Sequence, residues 1–287
     1  MNQVKSNIRL FDKSYQESKS ASYKLYVELS YSMLKLAVLD SSSNTFIGFE
    51  THAFDGNTND FNLSTQLSSL LNTLPLFRQE YASMIVAIAN NRVTLIPNAV
   101  YKTDKLEEFH HFNFSIQEDD EFYSDRLINT SAHTVYSIPN PITKLFTSYK
   151  NCSFRHIASA LIDAALMDSK FNKAISSIYV NVLPESFQLI VIKDQKLELY
   201  NAFNYHSNED FIYYLLFTLD QLHINNEEAG INLSGAIEKH DELYQILHQY
   251  IKTLQFVEPS GQINRSYMLE EVPRHFHFEL FHLYLCE

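Results

Sequence analysis

The stretch YVELSYSMLKLAVLD, residues 26–40, recurs later in the chain as YVNVLPESFQLIVIK, residues 179–193. Each copy consists of two apolar runs rich in β-branched and aromatic residues, separated by a short polar turn, which predicts a pair of antiparallel strands. The apolar positions correspond at a constant offset of 153 residues. Neither copy contains a glycine, although tight turns commonly use one.

The repetition continues beyond the hairpin in the same order and with similar spacing, which indicates an internal duplication. The recurring residues are Ala53, Phe54, Asn59, Asp60 and Phe61 in the first copy, and Ala202, Phe203, Asn208, Asp210 and Phe211 in the second. In each copy a third strand is predicted, then a helix with leucines at helical spacing, capped by Asn59 or Asp60 and by Ser207 or Asn208, and then a buried strand. This order predicts an α/β fold in which helices pack on mixed sheets.

The two copies predict two subdomains, residues 1–170 and residues 171–287, with a boundary near residue 170. Between the copies, the acidic run QEDDEF at 117–122 is predicted to be a solvated loop or a short helix. The final segment RHFHFELFHLYLCE, residues 274–287, is predicted to be a helix that covers the core.

Composition excludes several classes of protein. The net charge of −12 repels phosphate backbones and anionic lipids, so neither nucleic acid nor a membrane surface is an expected partner. No window approaches the ~20 apolar residues of a membrane span, and the first residues lack the apolar core of a signal peptide, so a cytoplasmic protein is expected. Two cysteines are too few for a disulfide framework and are interpreted as free thiols.

The repeated order of three strands, helix, strand, helix and strand resembles the actin-like ATPase superfamily, which includes actin, acetate and sugar kinases and the large heat-shock chaperones. The chain is most similar to an uncharacterised bacterial domain-of-unknown-function family with that fold. The resemblance implies duplicated ribonuclease-H-like subdomains with mixed five-stranded sheets flanked by helices. It also implies a site for Mg·ATP, in which an acid holds the metal, glycine amides approach the phosphates and a glycine-rich loop holds adenosine.

The first hairpin matches the superfamily's Asp-x-Gly pattern only as Glu28-Leu29-Ser30. The resemblance implies that Glu28 takes the metal side and that Ser30 and Ser32 donate to phosphate. However, Ser30 replaces the glycine, and Tyr31 adds bulk to the turn.

The second hairpin departs further from that pattern. Asn181 stands where the superfamily has its acid, Leu183 stands at the glycine, and Pro184 has no N–H to donate. The third motif keeps one of its two glycines, so the resemblance implies that Ser234 and Gly235 lie near adenosine. The alternative is structural, because a glycine often turns a strand into a helix.

Other residue groups favour structural interpretations. His275, His277 and His282 would suit a metal if two of them faced the same way, but on a helix His275 and His277 diverge, so packed histidines are preferred and no metal ligand is assigned. No local signature of a Ser-His-Asp or Cys-His catalytic group is present, and no catalytic residue is assigned.

Three functional hypotheses follow. The first is a non-catalytic scaffold or adaptor, a pseudoenzyme without a cofactor, that uses the fold for protein contacts; its richness in tyrosine suits an interface. The second is a nucleotide-responsive protein that binds or slowly hydrolyses Mg·ATP through Glu28, Ser30, Ser32 and Gly235, in the cleft where strands of α/β folds end. The third is a small-molecule kinase, for which no acceptor-binding residue is identified.

Overall fold

The computed structural model describes residues 7–55, 60–171, 176–225, 230–258 and 263–287. Its strands are β1 (Arg9–Phe11), β2 (Tyr23–Leu29), β3 (Met33–Asp40), β4 (Thr45–Ala53), β5 (Ser83–Ile88), β6 (Val93–Pro97), β7 (Asp120–Arg126), β8 (Ala132–Pro139), β9 (Cys152–His156), β10 (Ser176–Val182), β11 (Ser186–Lys193), β12 (Lys196–Asn204), β13 (Gly230–Gly235), β14 (Thr253–Phe256) and β15 (Asn264–Arg265).

Its α-helices are α1 (Asp60–Thr73), α2 (Leu106–His111), α3 (Asn140–Phe146), α4 (Ile157–Ser169), α5 (Asn208–Gln221), α6 (Glu242–Tyr250) and α7 (Phe278–Phe281). Short 3-10 helices span Glu17–Ser22, Pro75–Arg78, Thr103–Lys105, Tyr267–Glu271 and Leu283–Cys286.

The chain forms two compact units that divide inside α4. The N-terminal unit contains the described residues up to 160, together with 263–271 and 279–287. The C-terminal unit contains the described residues between 161 and 258, together with 272–278. The subdomain boundary near residue 170 stays a prediction.

Each unit contains a mixed sheet with the same strand order at its centre. In the C-terminal unit the order is β12-β11-β10-β13-β14, and in the N-terminal unit β4-β3-β2-β5-β9 repeats it. In both sheets the first three strands of this order pair antiparallel. The fourth strand pairs in parallel with the third, and the fifth pairs in parallel with the fourth. The N-terminal sheet has seven strands where five are predicted, because β1 and β15 both pair with β4.

The register reproduces the offset of the repeat. Glu28 faces Lys35 across the first hairpin, and Asn181 faces Gln188 across the second. A bulge interrupts the pairing with the third strand after Val38 and, 153 residues later, after Val191. The third strands correspond at an offset of 151, since Glu50 lies opposite Leu36 and Asn201 lies opposite Leu189. The sequence match between Ala53 and Ala202, at an offset of 149, is therefore wrong by two residues.

The helices that follow the third strands are of equal length. Both α1 and α5 have fourteen residues, and each buries one face at helical spacing. The buried residues are Leu63, Leu67 and Leu71 in α1, and Phe211, Leu215 and Leu219 in α5. Ser207 caps α5 by accepting a hydrogen bond from the backbone N–H of Asp210 at 3.1 Å. The predicted cap Asn59 lies outside the described residues.

Two predicted elements differ from the structure. The acidic run at 117–122 is not simply a loop or helix, because Asp120 begins β7, in a three-stranded sheet of order β6-β8-β7. Arg92 neutralises Asp120 there, with 2.7 Å between a guanidinium nitrogen and Oδ2. The C-terminal segment 274–287 forms only α7 and the 3-10 turn Leu283–Cys286. His277, which precedes α7, has a φ of 53°, outside the helical region.

Candidate functional site

The acid predicted to hold a metal lies in a buried ion cluster of the N-terminal unit. The side chain of Glu28, on β2, is 2% exposed, and its Oε1 lies 2.7 Å from Nζ of Lys35 on β3. The same ammonium lies 2.9 Å from Oε1 of Glu279, on α7. The side chains of Glu28 and Lys35 lie opposite each other because the register of the hairpin pairs residue 28 with residue 35. Lys35 therefore lies between two carboxyl groups.

The protonation of this cluster follows from its burial. The pKa of Glu28 is raised to about 8, because burial, with a smaller contribution from Glu279, outweighs the lowering by Lys35. Burial by itself lowers the pKa of Lys35, but Glu279 and Glu28 together raise it above its usual range. At neutral pH Glu28 thus holds a proton, while Lys35 keeps its charge between the two carboxyl groups.

The turn of the first hairpin is closed by its own serine. Oγ of Ser30 accepts hydrogen bonds from the backbone N–H of Met33 at 3.0 Å and of Ser32 at 3.3 Å. The backbone N–H of Ser30 donates to the Met33 carbonyl at 3.0 Å. These amides belong to the turn that the resemblance assigns to phosphate, and they already have an acceptor. Tyr31 and Ser32 are exposed beside them.

A buried polar cluster takes the corresponding place in the C-terminal unit. Nδ2 of Asn181 donates to Oε1 of Gln188 across the hairpin at 2.9 Å. Ser234, on the parallel neighbour β13, donates from Oγ to Oδ1 of Asn181 at 2.8 Å. The amide pair occupies the same register position as Glu28 and Lys35 in the N-terminal unit. It is uncharged, and Asn181 bonds to both Gln188 and Ser234.

Gly235 ends β13 with a φ of +84°. A Cβ there would lie 2.1 Å from the carbonyl oxygen of Val182 and 2.9 Å from Oδ1 of Asn181. The backbone N–H of Gly235 donates to the carbonyl of His275 at 2.8 Å, and that of Ala236 donates to the carbonyl of Val182 at 2.7 Å. The close approach of β13 to β10 accounts for this glycine by itself.

These turns also answer why the repeated hairpins lack glycine. No residue at 30–32 or 183–185, all of which are described, has a positive φ, so neither turn requires one. In the second turn the N–H of Leu183 donates to the carbonyl of Ser186 at 2.8 Å, and the hydroxyl of Tyr205 donates to the carbonyl of Leu183 at 2.7 Å.

The structure joins the six predicted residues in separate groups. Ser30 contacts Ser32 within one turn, Asn181 and Ser234 bond directly beside Gly235, and Glu28 bonds to Lys35. As arranged, neither hairpin turn fits a phosphate cradle with a carboxylate free for Mg²⁺. The assignment of these residues to nucleotide binding stays a prediction.

Sequence reasoning missed three partners of the predicted residues: Lys35, Gln188 and Glu279. A signal for two of them is present in the repeat. Lys35 and Gln188 are each a polar residue inside an otherwise apolar strand, and they are separated by the same 153 residues as Glu28 and Asn181. Since long polar side chains are rarely buried alone, each predicts a polar partner on the facing strand. No comparable signal marks Glu279, which lies far away in the sequence.

A second buried acid lies elsewhere in the N-terminal unit. Oδ2 of Asp125 accepts hydrogen bonds from Oγ of Ser159 at 2.7 Å and from the backbone N–H of His156 at 2.9 Å, and Oδ1 accepts from the Tyr136 hydroxyl at 3.0 Å. Burial raises the pKa of Asp125 and lowers that of His156 to about 3. Ser159 donates to the carboxyl group and not to the imidazole, whose Nε2 lies 3.3 Å from Asn90. The group therefore resembles structural hydrogen bonding more than an activated nucleophile.

An apolar pocket lies beside the first hairpin turn and encloses about 290 Å³, part of which is open to solvent. Leu29, Leu63, Ile138 and Ile142 are among the residues that line it. The part of the pocket that a water-sized molecule can enter is only about 20 Å³, far below the volume of ligand pockets, and its lining lacks charged side chains that would bind a triphosphate.

The described residues contain no group of three His, Cys, Asp or Glu side chains placed to hold a metal ion. No helix in the described part of the chain is sufficiently long and apolar to cross a membrane.

Comparison with known proteins identifies relatives of the whole fold. The model of a family described as "Protein of unknown function (DUF3822)" matches residues 12–254. A search of curated proteins found no match. A Bacteroides thetaiotaomicron protein with an actin-like ATPase fold and unknown function is similar in structure, with a TM-score of 0.77 and 19% identity over 95% of this chain and 99% of that one.

A second similar structure is the PilM–PilN type IV pilus biogenesis complex, with a TM-score of 0.64 and 13% identity over 92% of this chain and 98% of the matched chain. These likenesses confirm the predicted actin-like ATPase fold, together with the predicted similarity to a family of unknown function. At these identities they establish the fold alone.

Proposed function

The chain belongs to the DUF3822 family, and from that premise we propose that it is a non-catalytic adaptor, which uses an actin-like ATPase fold to bind another protein and does not turn over ATP. The observation that carries this proposal is the state of the first hairpin. Its acid, Glu28, bonds to Lys35, and its turn amides bond to Ser30. Phosphate and Mg²⁺ would have to displace both sets of contacts.

The existing contacts are favoured energetically. Displacing Lys35 from Glu28 would break a buried hydrogen bond to a charged group, which costs about 1.5–3 kcal/mol. A metal bound through Glu28 would also require the proton on that carboxyl group to leave. The second hairpin offers no compensating acid, because Asn181 is neutral and bonds to Gln188 and Ser234.

Binding to a protein is supported by the surface of the C-terminal unit. Tyr213, Tyr214 and Phe217 on α5 are 62%, 36% and 51% exposed. Exposed aromatic clusters are typical of protein interfaces. The PilM–PilN type IV pilus biogenesis complex offers a precedent for a protein assembly on a similar fold.

The test combines turnover and binding of Mg·ATP. We expect no release of phosphate above a no-enzyme control, and no rise in melting temperature at millimolar Mg·ATP. Binding at a hundredfold excess over Kd would stabilise the fold by about 2.7 kcal/mol, which is readily seen. Ordinary turnover would refute the proposal. A thermal shift that is lost in Ser32→Ala, where the side chain is exposed, would instead favour the nucleotide-responsive alternative.

A further inference from the structure

The two sheets differ at one edge. In the N-terminal unit β4 is paired on its outer side by β1 in antiparallel and by β15 in parallel. The equivalent strand β12 ends the order of the C-terminal sheet, and among the described residues no strand pairs with its outer side. β12 is nine residues long, and an uncovered strand edge of that length is a template for an added strand.

The register identifies which peptide groups of β12 point outward. On β4, the N–H of Thr51 donates to the carbonyl of Ile8 at 2.9 Å, and the carbonyl of Ile47 accepts from the N–H of Asp12 at 2.8 Å. At the offset of 151, residues 47, 49 and 51 correspond to 198, 200 and 202 of β12. The N–H of Ala202 instead bonds to Oδ1 of the neighbouring Asn201, at 2.9 Å. The side chain of Asn201 thus bonds a backbone N–H whose counterpart on β4, that of Thr51, bonds to the segment that contains β1.

The adjoining helices differ in the same way. Because α1 and α5 have equal lengths and equivalent buried faces, their outer positions can be compared directly. Aromatic residues occupy these positions on α5 and polar residues occupy them on α1: Tyr213, Tyr214 and Phe217 correspond to Thr65, Gln66 and Ser69. The one copy whose strand edge is open also carries the exposed aromatic helix.

The open edge and the aromatic helix form a continuous surface. The ring of Tyr214 stacks on Phe203 of β12 with 5.6 Å between centroids, and Tyr213 stacks on Phe217 at 5.8 Å. The aromatic rings therefore extend from β12 up onto α5. A strand paired with β12 would place every second side chain beside these rings.

We propose that this β12–α5 surface, defined by residues 198–202 with Tyr213, Tyr214 and Phe217, binds an extended segment of a partner protein as an added strand. The segment carries apolar side chains at alternate positions and basic residues at its ends. The basic residues follow from the net charge of −12, which also opposes pairing with a second copy, and from the exposed Glu209 at the start of α5. Glu198 adds no net charge to the edge, because the exposed Lys196 lies two residues before it. The inference rests on the proposed adaptor function and names its partner class and site.

The test uses a displayed library of random nine-residue peptides, selected on the whole chain. The enriched sequence, made as a synthetic peptide, is measured by fluorescence anisotropy. We expect alternating apolar residues with flanking lysine or arginine, and about tenfold weaker binding to Phe217→Ser. Ser69→Ala, at the matching exposed position of α1, should bind normally. Because both positions are exposed, both variants should fold, which circular dichroism verifies.

Two further measurements distinguish strand addition from hydrophobic contact. Methylation of alternate peptide nitrogens should abolish binding for one parity and spare the other, since only one set of N–H groups faces β12. Asn201→Ala should strengthen binding severalfold. The N–H of Ala202 could then bond to the added strand without first breaking its bond to the Asn201 side chain.

Several outcomes would overturn the inference: no enriched peptide, unchanged affinity of every peptide for Phe217→Ser, equal effects of both methylation patterns, or a dimer of the chain that Phe217→Ser dissociates. None of them requires ATP turnover. Failure of this inference is therefore distinct from failure of the proposed function, which turnover alone would reveal.

Discussion

Replacing Glu28 by glutamine tests the buried ion cluster directly. The side chain of glutamine has the size and shape of a protonated glutamate, so Glu28→Gln imitates the form that burial favours at neutral pH. Lys35 would then keep its contact with Glu279, at 2.9 Å. We expect the variant to fold and to lose a specific part of the pH dependence of stability.

The sign and size follow from the two pKa values of the carboxyl group. The folded pKa of Glu28 is about 8, above the ordinary 4.5 of an exposed glutamate. A raised folded pKa gives stability that is fully present below pH 4.5 and is lost as pH rises through 8. Within that window the folded state holds one more proton, so stability falls by about 1.4 kcal/mol per pH unit. Between pH 5.5 and 7.5 the wild type should thus lose about 2–3 kcal/mol that Glu28→Gln retains.

The assay is urea unfolding of both proteins at pH 5.5 and 7.5, followed by circular dichroism. Groups outside the cluster titrate equally in both proteins, so the difference between the variant and the wild type isolates the ion cluster around residue 28. Glu107→Gln, an exposed change on α2, is the control and should give the same difference at both pH values. A Glu28→Gln difference that stays constant with pH would refute the reasoning, as would a loss of about 3 kcal/mol at pH 7.5, which would mean that residue 28 is ionised.

Three further predictions concern the same clusters and are measured by urea unfolding. Lys35→Met should cost about 3–5 kcal/mol at pH 7.5, because two carboxyl groups lose their cation, whereas Gln188→Met, at the equivalent neutral pair, should cost about 1–3 kcal/mol; equal costs would contradict the assigned charges. Gly235→Ala should cost about 3 kcal/mol or more, because of its left-handed φ and the backbone contact, while Gly230→Ala, whose added Cβ would meet its nearest atom at 3.9 Å, should change stability by less than about 0.5 kcal/mol. Ser30→Ala should cost about 1 kcal/mol by freeing two turn amides, and no change in stability would mean that the serine does not close the turn.

The hairpins and most helices were predictable because their signals are local. Alternation of apolar residues sets the strands of both copies, and the helical spacing of leucines sets α1 and α5. The N-cap at Ser207 follows from side-chain chemistry alone. Part of the acidic run was mispredicted because the partner of Asp120 is not local: Arg92, 28 residues away, bonds to it where β7 begins. Glu118 and Asp119 lie in a turn.

The candidate site was predictable in its positions but not in its contacts. The repeat identified Glu28 and Asn181 as equivalent, and the register confirms that each faces a polar residue. Local sequence could not reveal that Glu279 approaches Lys35, because 244 residues separate them. Local sequence also could not show that Gly235 makes room for the neighbouring strand β10, because a glycine that makes room for a ligand looks the same in sequence.

The sequence by itself determined the repeated strands and helices, since these depend on side-chain periodicity within a few residues. Tertiary structure alone decided the protonation of Glu28, because a carboxyl group's pKa depends on burial and on charges that distant segments bring within a few ångströms. It also decided which strand edge is covered. β1 pairs with β4, while β12 is the last strand in the order of its sheet. No local sequence pattern predicts which backbone N–H and C=O groups will form hydrogen bonds with a distant segment.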